Sequence, residues 1–147
     1  MKAVVQRVKN ASVSVDGRIV ASIGQGLMVL VGIGRDDTVK DDEWIADKIV
    51  NLRIFVTEEG KMDKSLLDIG GALLLVSQFT LYGDCRKGRR PSFSDAMEAD
   101  KARAFFEQFV EITRTKGPRV ETGVFQAMME VNLINDGPVT LILSSRE

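Results

Sequence analysis

The sequence predicts an α+β fold in a single domain over residues 1–147, with a sheet of mostly antiparallel strands and two main helices. Three observations carry that prediction. Apolar and polar residues alternate with period two near both ends of the chain, between clusters of turn residues. Two intervening segments space their apolar residues at helical intervals. The 147 residues suit one core, and no repeat, low-complexity tract or linker divides them.

In chain order, Ala3 to Val8, Ser12-Val13-Ser14-Val15 and Arg18 to Ile23 read as strands. Asp16-Gly17 between the last two is a hairpin signal, because both central positions of such a turn need positive φ. Leu27 to Val31, bounded by Gly24, Gly26, Gly32 and Gly34, reads as a buried strand. The glycines lack G-x-G-x-x-G spacing and are read as turn punctuation. A first helix is expected from about Thr38 to Leu52, acidic in its first turns and apolar along Ile45, Ile49 and Leu52. Ile54 to Val56 is extended, and Glu58-Glu59-Gly60-Lys61 is a turn without the remainder of a Walker motif. Ala72 to Val76 is an apolar strand. Ser94 is the expected N-cap of a second helix through Thr115, with Ala99, Ala102, Phe106, Phe109 and Thr113 on one face and Gly117-Pro118 as its stop. Ala127 to Ile134 and Val139 to Ser144 end the sheet as two strands joined by Asn135-Asp136-Gly137-Pro138.

Composition excludes several classes of function. A net charge of -1 gives no general attraction to nucleic acid or anionic membrane, so any RNA contact must come from a local patch. Cys85 is the only cysteine, which rules out an internal disulfide and any multi-cysteine metal site. With no histidine either, zinc would need carboxylates alone, a poor ligand set for that ion. The longest apolar runs, Leu27 to Val31 and Ala72 to Val76, are too short to span a bilayer, and the first residues carry no cleavage pattern. A cytoplasmic protein is expected.

Ser77-Gln78-Phe79-Thr80 places two hydroxyls and an amide at the end of an apolar strand. Without histidine they cannot form a serine-histidine-acid triad, and an unassisted hydroxyl is a weak nucleophile. They can position a substrate, and free N–H groups at the strand end can hold an oxyanion, or the hydroxyls can simply satisfy local backbone groups. Arg86, Lys87, Arg89 and Arg90 put four cations in five positions just downstream, either a phosphate grip for RNA or a solvated face. Beside them, Cys85 is a candidate thiolate with no partner base. Arg7 is a lone charge inside an apolar strand, and Asp136-Gly137-Pro138 reads as a turn in which the X-Pro bond can be cis. A non-catalytic RNA-binding module and a thiol or serine esterase are the competing readings.

Taken together, Gln6-Arg7-Val8, Gly60-Lys61-Met62, Ser77-Gln78-Phe79-Thr80-Leu81, Arg90-Pro91-Ser92-Phe93 and Asn135-Asp136-Gly137-Pro138-Val139-Thr140 resemble the D-aminoacyl-tRNA deacylases in order and in span. Asp63 departs from that pattern, where asparagine is frequent. The resemblance implies a barrel-like homodimer that hydrolyses the ester joining a D-amino acid to the 3′-terminal adenosine of tRNA. It also implies action on glycine mischarged on a tRNA such as tRNA-Ala. By the same resemblance, Gly137-Pro138 is a cis dipeptide inserted into the partner's pocket to exclude L-amino acids, with Arg7 holding its loop. Ser77, Gln78 and Phe93 line the pocket, and Phe79 and Thr80 stabilise the oxyanion. The resemblance further implies that the ribose 2′-hydroxyl assists the attacking water, with Thr80 as nucleophile the alternative, and that no metal or organic cofactor is required.

Overall fold

One long strand, β1 (Lys2–Val15), organises the fold in the computed structural model, which describes residues 1–146. The two short strands expected here are continuous, because pairing to the far end of the chain carries the backbone through Lys9 and Asn10. Along one edge, β1 pairs antiparallel first with β3 (Gly26–Gly32) and then with β2 (Arg18–Ile23). Its other edge pairs with β8 (Glu130–Ser144) from Lys2 opposite Ser144 to Ser14 opposite Glu130. The sheet continues from β3 to β6 (Ala72–Ser77) and then β7 (Arg119–Thr122).

Those last two junctions are parallel, so the sheet is mixed. Parallel neighbours need long crossovers, and the two expected helices supply them. Helix α1 (Val39–Asn51) lies on the route from β3 to β6, and α3 (Ala99–Thr115) on the route from β6 to β7. Also on the first route are the small hairpin β4 (Phe55–Val56) with β5 (Met62–Lys64), and the single turn α2 (Leu66–Ile69). Because β2 packs back towards β6 and β7, the sheet nearly closes into a barrel.

The helix boundaries show what local signals decide. Thr38 caps α1 in a reciprocal box, its N–H donating to Asp41 at 2.7 Å. The second helix starts at Ala99 with Glu98 as N-cap, four residues after the expected start following Ser94. Ser94 instead sits in a segment tied to the end of β3, where Arg35 N donates to Asp95 O at 2.9 Å and Gly34 bridges Ala96. Those tertiary bonds hold the segment out of the helix.

Alternation along β3 and β6 separates two apolar cores. Leu27, Val29, Val31, Leu73 and Leu75 face α1 and α3, meeting Ile45, Ile49, Phe106 and Phe109. Met28, Leu74 and Val76 face the other way into the barrel, against Val8, Ala21 and Ile23. Beneath the start of α1, the Met1 ammonium donates to Asp37 at 2.6 Å. Asp42 is wholly buried there and neither oxygen has a hydrogen-bond partner among the described residues. Burial, reinforced by Asp37 and Asp41, pushes its carboxyl up to about 7. No described helix is long and apolar enough to cross a membrane.

Candidate active site

Ser77 ends β6 opposite Val31, and Gln78 N continues the pairing by donating to Val31 O at 2.7 Å. The chain then winds into a 3-10 turn, Phe79–Tyr82. Two glycines make room for it. A Cβ on Gly32 would stand 2.9 Å from Leu81 Cβ, and one on Gly83 would stand 3.0 Å from both the Phe93 ring and Thr80 O. Phe93 therefore packs edge-on against Phe79, ring centroids 5.1 Å apart, and both rings remain exposed. At the head of the turn, the N–H groups of Phe79 and Thr80 have no acceptor within it.

Thr80 Oγ1 accepts from Gln78 Nε2 at 2.5 Å, and that amide is its only side-chain partner among the described residues. An amide cannot take the hydroxyl proton, so Thr80 is oriented without being activated. The cluster offers hydrogen-bond donors to a carbonyl rather than a charged nucleophile.

The second expected motif departs from a hairpin turn. Residues 130–144 form one strand, and both of its halves pair with β1. Between Gln6 opposite Thr140 and Val8 opposite Asn135, four residues of β8, Asp136 to Val139, face Arg7 alone. They bulge outward and leave Gly137 and Pro138 exposed, with a cis peptide bond between them. Arg7 fills the gap behind the bulge. Its buried guanidinium donates through Nε to Asp136 O at 3.2 Å and through Nη1 to Ile54 O at 2.6 Å, with the Asp136 carboxylate 3.5 Å away.

Asn135 closes the neck of the loop, a role the sequence reading did not assign. Its Nδ2 donates to Arg7 O at 2.9 Å and Val139 O at 3.1 Å, and its Oδ1 accepts from Thr140 Oγ1 at 3.2 Å. Where the ladder is interrupted, a side-chain amide takes the place of the missing main-chain donors. The readiness of asparagine to bond nearby backbone was the available signal.

Within one chain the two motifs stand apart. Their strands lie in the order β8, β1, β3, β6, three spacings or roughly 14 Å across the sheet. Arg7 pairs with Leu27 whereas Ser77 pairs with Val31, a further offset of roughly 13 Å along the strands. The structure thus brings Ser77, Gln78, Phe79, Thr80 and Phe93 to one end of the sheet and gathers Arg7, Gly137 and Pro138 elsewhere. Arg86, Lys87, Arg89 and Arg90 lie on an exposed loop immediately beyond the 3-10 turn, beside the exposed Cys85 thiol. Arg86 is held by a bidentate pair with Asp84, at 2.8 and 2.7 Å. That pairing draws the Asp84 carboxyl down to about 2.

The family model described as D-Tyr-tRNA(Tyr) deacylase matches residues 4–144. The chain belongs to this family of hydrolases. It is 60% identical over 147 residues to a D-aminoacyl-tRNA deacylase of a Geobacillus species, covering 100% of this chain and 97% of the relative. The D-aminoacyl-tRNA deacylase of Fervidobacterium nodosum is 56% identical, covering 100% and 99% of the two chains. A solved structure described as c-Myc DNA Unwinding Element Binding Protein is 45% identical, with a TM-score of 0.95 over 100% of both chains. Another, of a probable eukaryotic D-amino acid tRNA deacylase, shares the fold at a TM-score of 0.80 over 97% of both chains and 18% identity. The resemblance read from the motifs is borne out along the deacylase family's whole length.

Proposed function

We propose that the protein is an editing hydrolase that cleaves D-aminoacyl-tRNA to free amino acid and tRNA, acting in the cytoplasm where tRNA is charged. The observation that carries this reading is the Arg7-held bulge, which presents main-chain atoms of Gly137 and Pro138 outward as a fixed surface. Such a surface selects by exclusion. An L side chain would meet immovable backbone, a D side chain would point to solvent, and glycine would pass because it has no side chain to reject. Glycine mischarged on tRNA is therefore a second substrate in this reading.

The two motifs act together when a second copy of the chain supplies the bulge to the wall formed by Ser77, Gln78, Phe79, Thr80 and Phe93. Their separation within one chain supports a cross-subunit site. So does the outer edge of β8, which has no strand partner among the described residues and exposes Ile134 and Ile142, the latter by 78%. In the chemical step, the N–H groups of Phe79 and Thr80 stabilise the developing oxyanion while the ribose 2′-hydroxyl assists the attacking water. Among the described residues no base bonds Thr80, which supports assistance from the substrate over attack by this residue.

Incubation with D-Tyr-tRNA and L-Tyr-tRNA tests the proposal. Release of D-tyrosine with L-Tyr-tRNA left intact is expected, and equal or absent hydrolysis of the two would overturn it.

A further inference from the structure

The basic run after the 3-10 turn separates into two parts. Arg86 is spent on Asp84, which accepts from its backbone N at 3.0 Å as well as from its guanidinium. Two main-chain bonds between Asp84 and Ser92, 2.7 and 3.0 Å long, close the loop at the same point. Lys87, Arg89 and Arg90 are exposed and make no hydrogen bond or ion pair among the described residues. Gly88, at φ +66, turns the chain between them.

The base of this loop is part of the candidate site. Gly83 and Asp84 follow the turn that carries Phe79 and Thr80, and Phe93, just beyond Ser92, packs on Phe79. Seven residues clamped at both ends reach at most about 12 Å from their base. Three uncompensated cations thus stand next to the wall that would receive the terminal adenosine, on a chain whose net charge is -1. A strand of RNA leaving that wall carries a phosphate at each nucleotide, and the planar fork of arginine matches phosphate oxygens two at a time.

We propose that Lys87, Arg89 and Arg90 grip the phosphates of the single-stranded 3′ end of the tRNA substrate, while Arg86 shapes the loop and binds no RNA. The assignment rests on the deacylase reading for its substrate and narrows the expected patch of four cations to three.

The test measures kcat/KM for D-Tyr-tRNA, and the affinity for uncharged tRNA, across a salt series. Single-strand contacts release counterions with a slope of about 0.7 per phosphate, so removing three lowers the salt slope by about 2. The K87A/R89A/R90A variant is expected to show that loss in both measurements, and R86A to keep the wild-type slope. The ratio of kcat/KM on D-Tyr-tRNA to that on D-tyrosyl-adenosine, which has no phosphate, falls in the triple variant. An unchanged slope in the triple variant, an equal loss on D-tyrosyl-adenosine, or a slope in R86A reduced like the others would overturn the proposal. If the wild type hydrolyses neither ester, the deacylase reading fails, and the tRNA affinity series still decides whether these three side chains hold RNA.

Discussion

The guanidinium of Arg7 donates through Nε to the main-chain oxygen of Asp136, 3.2 Å away, so a side chain from β1 fixes how the loop of β8 stands off the sheet. The same group reaches Ile54 O through Nη1. Lysine, with one compact ammonium, cannot hold both carbonyls in this geometry. Arg7→Lys is expected to cost about 1–3 kcal/mol, from a buried carbonyl left unpaired, and to lower the ratio of D- to L-Tyr-tRNA hydrolysis. Denaturant titration and paired deacylation assays would show both effects.

Gly137 has no space for a side chain. Its φ is +116, and a Cβ built there would lie 2.5 Å from Arg7 Nη2. Gly137→Val is expected to displace the Arg7 contact and lose about 1–3 kcal/mol of stability through backbone strain alone. Deacylation of D-Tyr-tRNA should fall at least about tenfold, or roughly 1.4 kcal/mol. Full D-specific activity in a folded Gly137→Val protein would remove the loop from the site.

Asn135→Asp preserves shape but exchanges two amide donors for a carboxylate facing the carbonyls of Arg7 and Val139. The neck should open. Faster hydrogen exchange in residues 135–140, with the rest of the sheet unchanged, is the expected signature, accompanied by increased hydrolysis of L-Tyr-tRNA. Unaltered exchange would mean that the amide does not control the loop.

Thr80→Val removes the hydroxyl that accepts from Gln78 and keeps the backbone N–H. If the substrate's own ribose assists the water, this variant should stay within about tenfold of wild type. A substrate ending in 2′-deoxyadenosine should instead react slower by about 10²-fold or more. The opposite ordering in single-turnover assays would make Thr80 the nucleophile.

Asp42 gives a pH dependence of stability. Its carboxyl is raised to about 7 in the fold, from 3.8 in the free residue, by burial and by Asp37 and Asp41. The unfolded chain therefore gives up this proton first, and stability falls as pH rises from about 4 to about 7, then levels, by an amount on the order of a few kcal/mol. Asp42→Asn removes the titration. Its stability relative to wild type should increase between pH 4 and pH 8 in urea unfolding, and a constant difference would contradict the assignment.

Local chemistry was enough to place α1, by its acidic first turn and apolar stripe, and the Asp16-Gly17 turn, whose φ angles are +50 and +76. Those features depend on neighbours within a few residues. The segment around Gly137-Pro138 was misread as a hairpin because a turn and a bulge use the same residues. What distinguishes them is the pairing of Gln6 with Thr140 and of Val8 with Asn135, over a hundred residues away. The late start of α3 likewise follows from distant bonds, from Arg35 to Asp95. The neutralised state of Arg86 was nearer to hand, since Asp84 precedes it by only two positions. The SQFTL and NDGPVT strings identified the deacylase family, yet their separation on the sheet appears only once strand order is known.

The pairing of β1 with β8 also governs when the molecule becomes competent. Lys2 must wait for Ser144, and Arg7 for Asp136, so this ladder forms only after the segment through Ser144 has left the ribosome. Contacts this distant in sequence close slowly, and meanwhile β1 keeps one bare edge open to chaperones or to mispairing. The end of β6, with Ser77 to Thr80, emerges well before the strand that carries Gly137. A nascent chain thus acquires the polar end of β6 first and the exposed Gly137-Pro138 bulge last.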